Sequence, residues 1–137
     1  MTASIPFRNI GLELVRVTEN AAFAASRWIG SGNAIGAHTA AHQAMYETLC
    51  NAGINGQIAI AEEQRVPEQA IICGNTIIGD PTTDEIDVDI AADPIDGTAL
   101  LVKGRPGAIS VLGIAPKGSL WTPLPAKYMD KIVVDRQ

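Results

Sequence analysis

Asp93 and Asp96 stand three residues apart in Asp93-Pro94-Ile95-Asp96-Gly97-Thr98. Placed at a corner between a strand and a helix, two such carboxylates can point at one spot beside the backbone N–H groups of the helix start. Hard divalent cations take oxygen ligands of this kind, and the N–H groups suit a phosphate. The corner therefore reads as metal plus phosphate chemistry. The plain alternative is a strand exit, because Asp, Pro and Gly are ordinary turn formers. His38 and His42 form a second set, spaced i, i+4 on one helix face as in helical zinc sites. With Glu62 and an aspartate from the corner they could make a remodelled transition-metal site; on an Ala-rich helix they could equally be a polar stripe. Arg65, Lys103 and Arg105 could meet an anionic ligand, or be solvated loop charges.

These groups need elements to hold them. Ile86, Val88 and Ile90 alternate with acids, which is the period of a half-buried strand over 84–90. Pro94 has no N–H to give and is expected to end that ladder, while Gly97 permits a turn and Thr98 starts a helical turn at 98–102. Upstream, Ile10, Leu14, Val17, Ala21, Ala24, Ala25 and Trp28 recur at helical intervals, so a helix over 9–29 is expected, capped by Asn9 and stopped at Gly30-Ser31-Gly32-Asn33. A second helix is expected from Ala37 to Cys50, with Ala41, Ala44, Met45 and Leu49 on its apolar side and Asn51-Ala52-Gly53 ending it. Residues 57–62 read as a short strand that delivers Glu62 and Glu63 at its end, and 70–74 as another. The nearly all-apolar run 108–115 is a candidate for the sheet centre. Ser119-Leu120-Trp121 suggests a last strand and 128–134 an ordered tail. Helices first and strands later predict an α+β domain.

Composition sets the bounds. With 137 residues, 47% of them hydrophobic, the chain reads as one domain over 1–137 with material for a core. A net charge of −5 and an isoelectric point near 4.8 argue against a nucleic-acid partner. No apolar run reaches spanning length, and the first residues lack the build of a signal peptide, so a cytoplasmic protein without a membrane span is expected. Cys50 and Cys73 sit far apart among apolar neighbours and read as buried reduced thiols.

The chain resembles the class II, GlpX-type fructose-1,6-bisphosphatases, within the wider group of metal-dependent, lithium-sensitive sugar and inositol phosphatases. The resemblance rests on the segments 11–22, 28–30 and 54–56 with the strand to Glu62, on Val88 through Thr98, and on Lys127-Tyr128-Met129-Asp130-Lys131. It implies a layered α+β fold of the fructose-bisphosphatase and inositol-monophosphatase superfamily, with the N-terminal helices packed on a mixed sheet. Carried over by position, Glu62, Asp93 and Asp96 would hold Mg²⁺ or Mn²⁺, with His38 where the family has a further metal-binding aspartate. Gly97 and Thr98 would meet the phosphate, Thr98 also the metal-bound nucleophile. The reaction implied is hydrolysis of fructose 1,6-bisphosphate to fructose 6-phosphate and phosphate.

Departures from the family pattern point the other way. Its Asp-Lys after the glycine turn is Asn33-Ala34 here, and its Gly-Glu-Gly-Glu is Ala61-Glu62-Glu63-Gln64. A methyl group cannot supply the lysine's charge, and imidazole is a poorer Mg²⁺ ligand than carboxylate. Family chains are also much longer, their C-terminal half bringing another metal carboxylate and most of the grip on the sugar. Two expectations follow. One is a truncated, catalytically degenerate pseudoenzyme, an accessory subunit whose open half-fold face a protein partner or second copy would cover. The apolar strand around Val111, with Trp121 and Leu124 nearby and Pro116, Pro123 and Pro125 stiffening it, would be that face, and the corner a relic without cofactor. The other is an active Mg²⁺- or Mn²⁺-dependent phosphatase of sugar bisphosphates.

Overall fold

A computed structural model of the chain describes residues 9–62, 64–82, 87–122, 130 and 132–135. Helix α1 (Ile10–Ser26) starts at Asn9, whose side chain accepts a hydrogen bond from the Gly11 N–H. Its buried stripe is Val17, Ala21 and Ala25. Helix α2 (Ala34–Asn51) starts at Asn33 and buries Ala37, His38, Ala41, His42, Met45 and Leu49. The alanines on both stripes let the helices approach closely. Both histidines lie on the buried stripe of α2, so the solvated polar stripe is ruled out.

The strands are β1 (Gly56–Ala61), β2 (Thr76–Ile77), β3 (Val88–Asp96) and β4 (Ile109–Pro116), ordered β2-β1-β3-β4 in one sheet. The sheet is mixed: β1 runs parallel to β3, and the other pairs are antiparallel. Ile58, Ile71, Ile77, Ile90 and Ala92 join the helix stripes in one apolar core, with Leu112 and Ile114 packed against it. An α+β architecture of helices on a mixed sheet is therefore observed.

One irregularity decides where the chemistry lands. β1 pairs Ile58 with Ile90 and then Ile60 with Ala91, so Ala59 is bulged out of register. A bulge reverses the alternation beyond it. Ile60 is consequently turned to the side away from the helices, and Ala61 to the core. Ile60, Ile109 and Val111 are 37%, 56% and 44% exposed, and they mark that second sheet face as open among the described residues.

Five expectations are corrected. Residues 70–74 form no strand; Ile71 reaches the core from a loop, and the strand that forms is the two-residue β2. Pro94 does not end its strand, because β3 continues to Asp96 through an irregularity between Asp93 and Asp96 where no ladder donor is needed from it. Among the described residues β4 is an edge strand, not the sheet centre, and its outer face is uncovered rather than buried. Ser119-Leu120-Trp121 forms no strand, and Trp121 is 70% exposed. Cys50 and Cys73 are free thiols, half-buried rather than buried. The 84–86 part of the expected strand, Glu63, Leu124, Pro123, Pro125 and, in the tail, 128, 129 and 131 lie outside the described residues, as does most of the segment 127–131.

Candidate metal centre

The last paired residues of β1 and β3 are Ala61 and Ala92. One step further along each strand come Glu62 and Asp93, neighbours at the carboxyl ends of parallel strands and so about 4.8 Å apart at the backbone. Burial pushes the Glu62 carboxyl up, Arg65 pulls it back, and the Asp93 charge adds to the rise. Asp93 is raised in the same way, first by burial and then by Asp96, against the pull of the Ile95 N–H that it accepts at 3.1 Å. Burial together with a neighbouring acid, Asp93 for Glu62 and Asp96 for Asp93, raises both carboxyls and makes a negative focus that a cation would relieve.

From the other side α2 presents its histidines. The rings of His38 and His42 lie 4.0 Å apart, centroid to centroid, each 2% exposed. Glu62 Oε2 is 3.5 Å from His38 Nδ1 and 3.9 Å from His42 Nε2. The outer oxygen of Glu62 pairs with Arg65. Burial, then His38 and then Arg65, lowers His42 to about 3, so its ring is neutral near pH 7.

The residues expected to do chemistry thus divide. Glu62, Asp93 and His38 converge, and His42 joins them. Asp96 is exposed at the rim, near enough to raise Asp93. Gly97 has φ +91°, the left-handed conformation that opens α3 (Thr98–Val102), and its Cα packs near the Ala108 backbone. Thr98 is buried and its hydroxyl donates to the Ile95 carbonyl at 3.2 Å. Lys103 and Arg105 are exposed on the turn after α3, while Arg65 is engaged with Glu62. Two glycines tie the corner to α2: Gly30 N–H donates to Leu101 O at 3.1 Å and Gly32 N–H to Val102 O at 2.9 Å.

Other groups do structural work. Asn33, where the family pattern has aspartate, accepts the Gly36 N–H at 2.9 Å as the α2 cap. Asn33→Ala is expected to destabilise the fold by about 1 kcal/mol in urea titration, without moving the histidines. Asp89 accepts the Leu120 N–H at 3.0 Å, and the Leu120, Gly118 and Ser119 amides hold its carboxyl below the ordinary range. Sequence reasoning missed Gln69, which is buried and accepts or donates to three groups around His38. A polar residue at the head of the apolar run 70–72 was the one signal for it.

The donors that lie together are two imidazole nitrogens and the Glu62 carboxylate, with the Asp93 charge acting on Glu62. Mg²⁺ asks for an octahedron of oxygens, which this mixed set does not match.

A family model described as bacterial fructose-1,6-bisphosphatase, glpX-encoded, matches residues 8–137. The chain is similar to the D-fructose 1,6-bisphosphatase class 2/sedoheptulose 1,7-bisphosphatase of Trichormus variabilis, at 35% identity over 132 residues, 90% of this chain and 38% of that protein. Against the protein of the same description from Thermosynechococcus vestitus identity is 37%, with the same coverage. The chain thus spans 38% of the length of these relatives.

Proposed function

The chain belongs to the GlpX-type bacterial fructose-1,6-bisphosphatase family, and from that premise we propose that it is a catalytically degenerate member. In this reading residues 1–137 are a single half-domain of the layered sugar-phosphatase fold, and it serves as an accessory or interaction subunit in the cytoplasm. The observation that carries the proposal is the sheet face that is open, among the described residues, beside the edge strand β4. Ile60, Ile109 and Val111 line it, and an apolar edge of this kind is unstable in water unless another surface covers it. A protein partner or a second copy of the chain fills that role. The His38 imidazole in place of an aspartate and Ala34 in place of lysine lower any phosphatase activity.

A second reading is favoured by the adjacency of Glu62 and Asp93 at the strand ends. In it the acids hold Mg²⁺ or Mn²⁺, and the chain hydrolyses a sugar bisphosphate such as fructose 1,6-bisphosphate. Bound there, a divalent ion would supply Lewis acidity toward the phosphate. The chain's own residues would contribute the carboxylates of Glu62, Asp93 and Asp96, the Gly97 backbone and the Thr98 hydroxyl.

Phosphate release from fructose 1,6-bisphosphate with Mg²⁺ or Mn²⁺ separates the readings, the chain being compared with its Asp93→Asn variant. No turnover from folded protein is expected. Turnover that disappears in Asp93→Asn overturns the degenerate reading and establishes the second. Sedimentation of the same sample is expected to show self-association that Val111→Lys abolishes while leaving the circular dichroism unchanged.

A further inference from the structure

We propose that His38, His42 and Glu62 form a binding site for a transition-metal dication of the zinc class, distinct in chemistry from an oxygen-only Mg²⁺ centre. The inference is independent of whether the chain hydrolyses anything.

The tautomer of His38 is set by its surroundings. Gln69 Nε2 donates to Ile71 O at 3.1 Å, and Gln69 Oε1 accepts the Arg65 N–H at 2.9 Å, so the amide orientation is fixed. His38 Nε2 lies 2.7 Å from that same Oε1 and must therefore carry the proton. In the neutral ring Nδ1 is then a bare lone pair, and it faces Glu62 Oε2 at 3.5 Å. Two buried acceptors that face one another repel unless a cation lies between them. Among the described residues no hydrogen bond reaches His38 Nδ1, either nitrogen of His42, or Glu62 Oε2. Buried polar atoms are ordinarily paired, and here three unpaired ones, His38 Nδ1, His42 Nε2 and Glu62 Oε2, lie together.

The geometry suits a small tetrahedral ion. One ligand atom from each residue lies within 4.8 Å of the others. Zinc takes nitrogen and oxygen at about 2.0–2.1 Å, which separates tetrahedral ligands by about 3.3 Å. The separations of 3.5 and 3.9 Å to Glu62 Oε2 need only small side-chain rotations. Gln69 on His38 and Arg65 on the outer oxygen of Glu62 are the outer partners that orient metal ligands. The Asp93 charge acts on Glu62 and so adds to the pull on a cation there. Imidazole paired with carboxylate selects zinc-class ions over Mg²⁺.

The test titrates the full chain, first stripped with a chelator, with Zn²⁺ alone in calorimetry and with Co²⁺ alone in visible absorption. One equivalent of Zn²⁺ is expected to bind roughly 100-fold tighter than Mg²⁺, and Co²⁺ to give the intense bands of tetrahedral coordination. His42→Ala loses no hydrogen bond, so it should keep the wild-type circular dichroism while weakening Zn²⁺ binding by roughly 100-fold. Gln69→Leu, outside the ligand set, should weaken it by about 10-fold. Absence of saturable Zn²⁺ binding overturns the proposal, as does binding that His42→Ala leaves unchanged. A proton retained on His38 Nδ1 in Zn²⁺-saturated protein, seen by nitrogen-15 NMR, overturns it too, since that atom would then be an ion-pair donor to Glu62.

Discussion

Asn55→Ala is expected to destabilise the protein by about 3 kcal/mol, or roughly 10 °C in melting temperature. Asn55 is 2% exposed, just before β1. Its Oδ1 accepts the N–H groups of Gly79 and Asp80, both at 2.9 Å, and its Nδ2 donates to Asp80 O at 3.1 Å. Alanine leaves these backbone groups in a part-buried place without their partner, and each unmet group costs about 1 kcal/mol or more. Packing there leaves no slack for repair. A Cβ on Gly79 would stand 2.4 Å from the Ile54 nitrogen and 2.8 Å from the Cys50 carbonyl oxygen. Urea unfolding followed by tryptophan fluorescence measures the loss. A change under 1 kcal/mol would mean that Asp80 and Gly79 do not depend on this side chain.

His42→Leu should act in the opposite direction. In chelator the variant is expected to be more stable than wild type by about 1–3 kcal/mol. The imidazole is buried against His38 with both nitrogens unpartnered among the described residues, so the fold spends desolvation energy on it without a hydrogen bond in return. Leucine fills similar space and removes that penalty. With Zn²⁺ in excess the order should invert, because only wild type gains stability from the ion by mass action. Thermal melts with and without Zn²⁺ check both halves. A less stable variant in chelator would show that the ring earns its place through packing alone. A residue that weakens the empty fold belongs to function rather than to architecture.

How far these features could be read in advance depended on what each one rests on. The helices were legible because Val17, Ala21 and Ala25, like Met45 and Leu49, repeat at helical intervals that burial then obeys. The αL turn at Gly97 and the start of α3 at Thr98 followed from local chain chemistry. The bulge at Ala59 was not legible, since it is a property of the register between β1 and β3 and neither strand carries it alone. The site suffered the same gap. His38 and His42 could be paired from their spacing, and Glu62 and Asp93 could be named. That a bulge sets Glu62 beside Asp93, and that Gln69 fixes the His38 tautomer, are tertiary facts. The nearly all-apolar β4 misled because a continuous apolar run describes a strand able to be covered on both sides, whether or not a cover is present.

The two amide bonds from Gly30 and Gly32 to Leu101 and Val102 also have a kinetic meaning. They make the end of α3 and the entry to α2 one opening unit, so neither can fray while the other stays closed. Bracing the histidine helix should therefore slow deuterium uptake at both glycine amides together. An event at the imidazoles would then reach the aspartate corner through the backbone as well as across the space between His38 and Asp93.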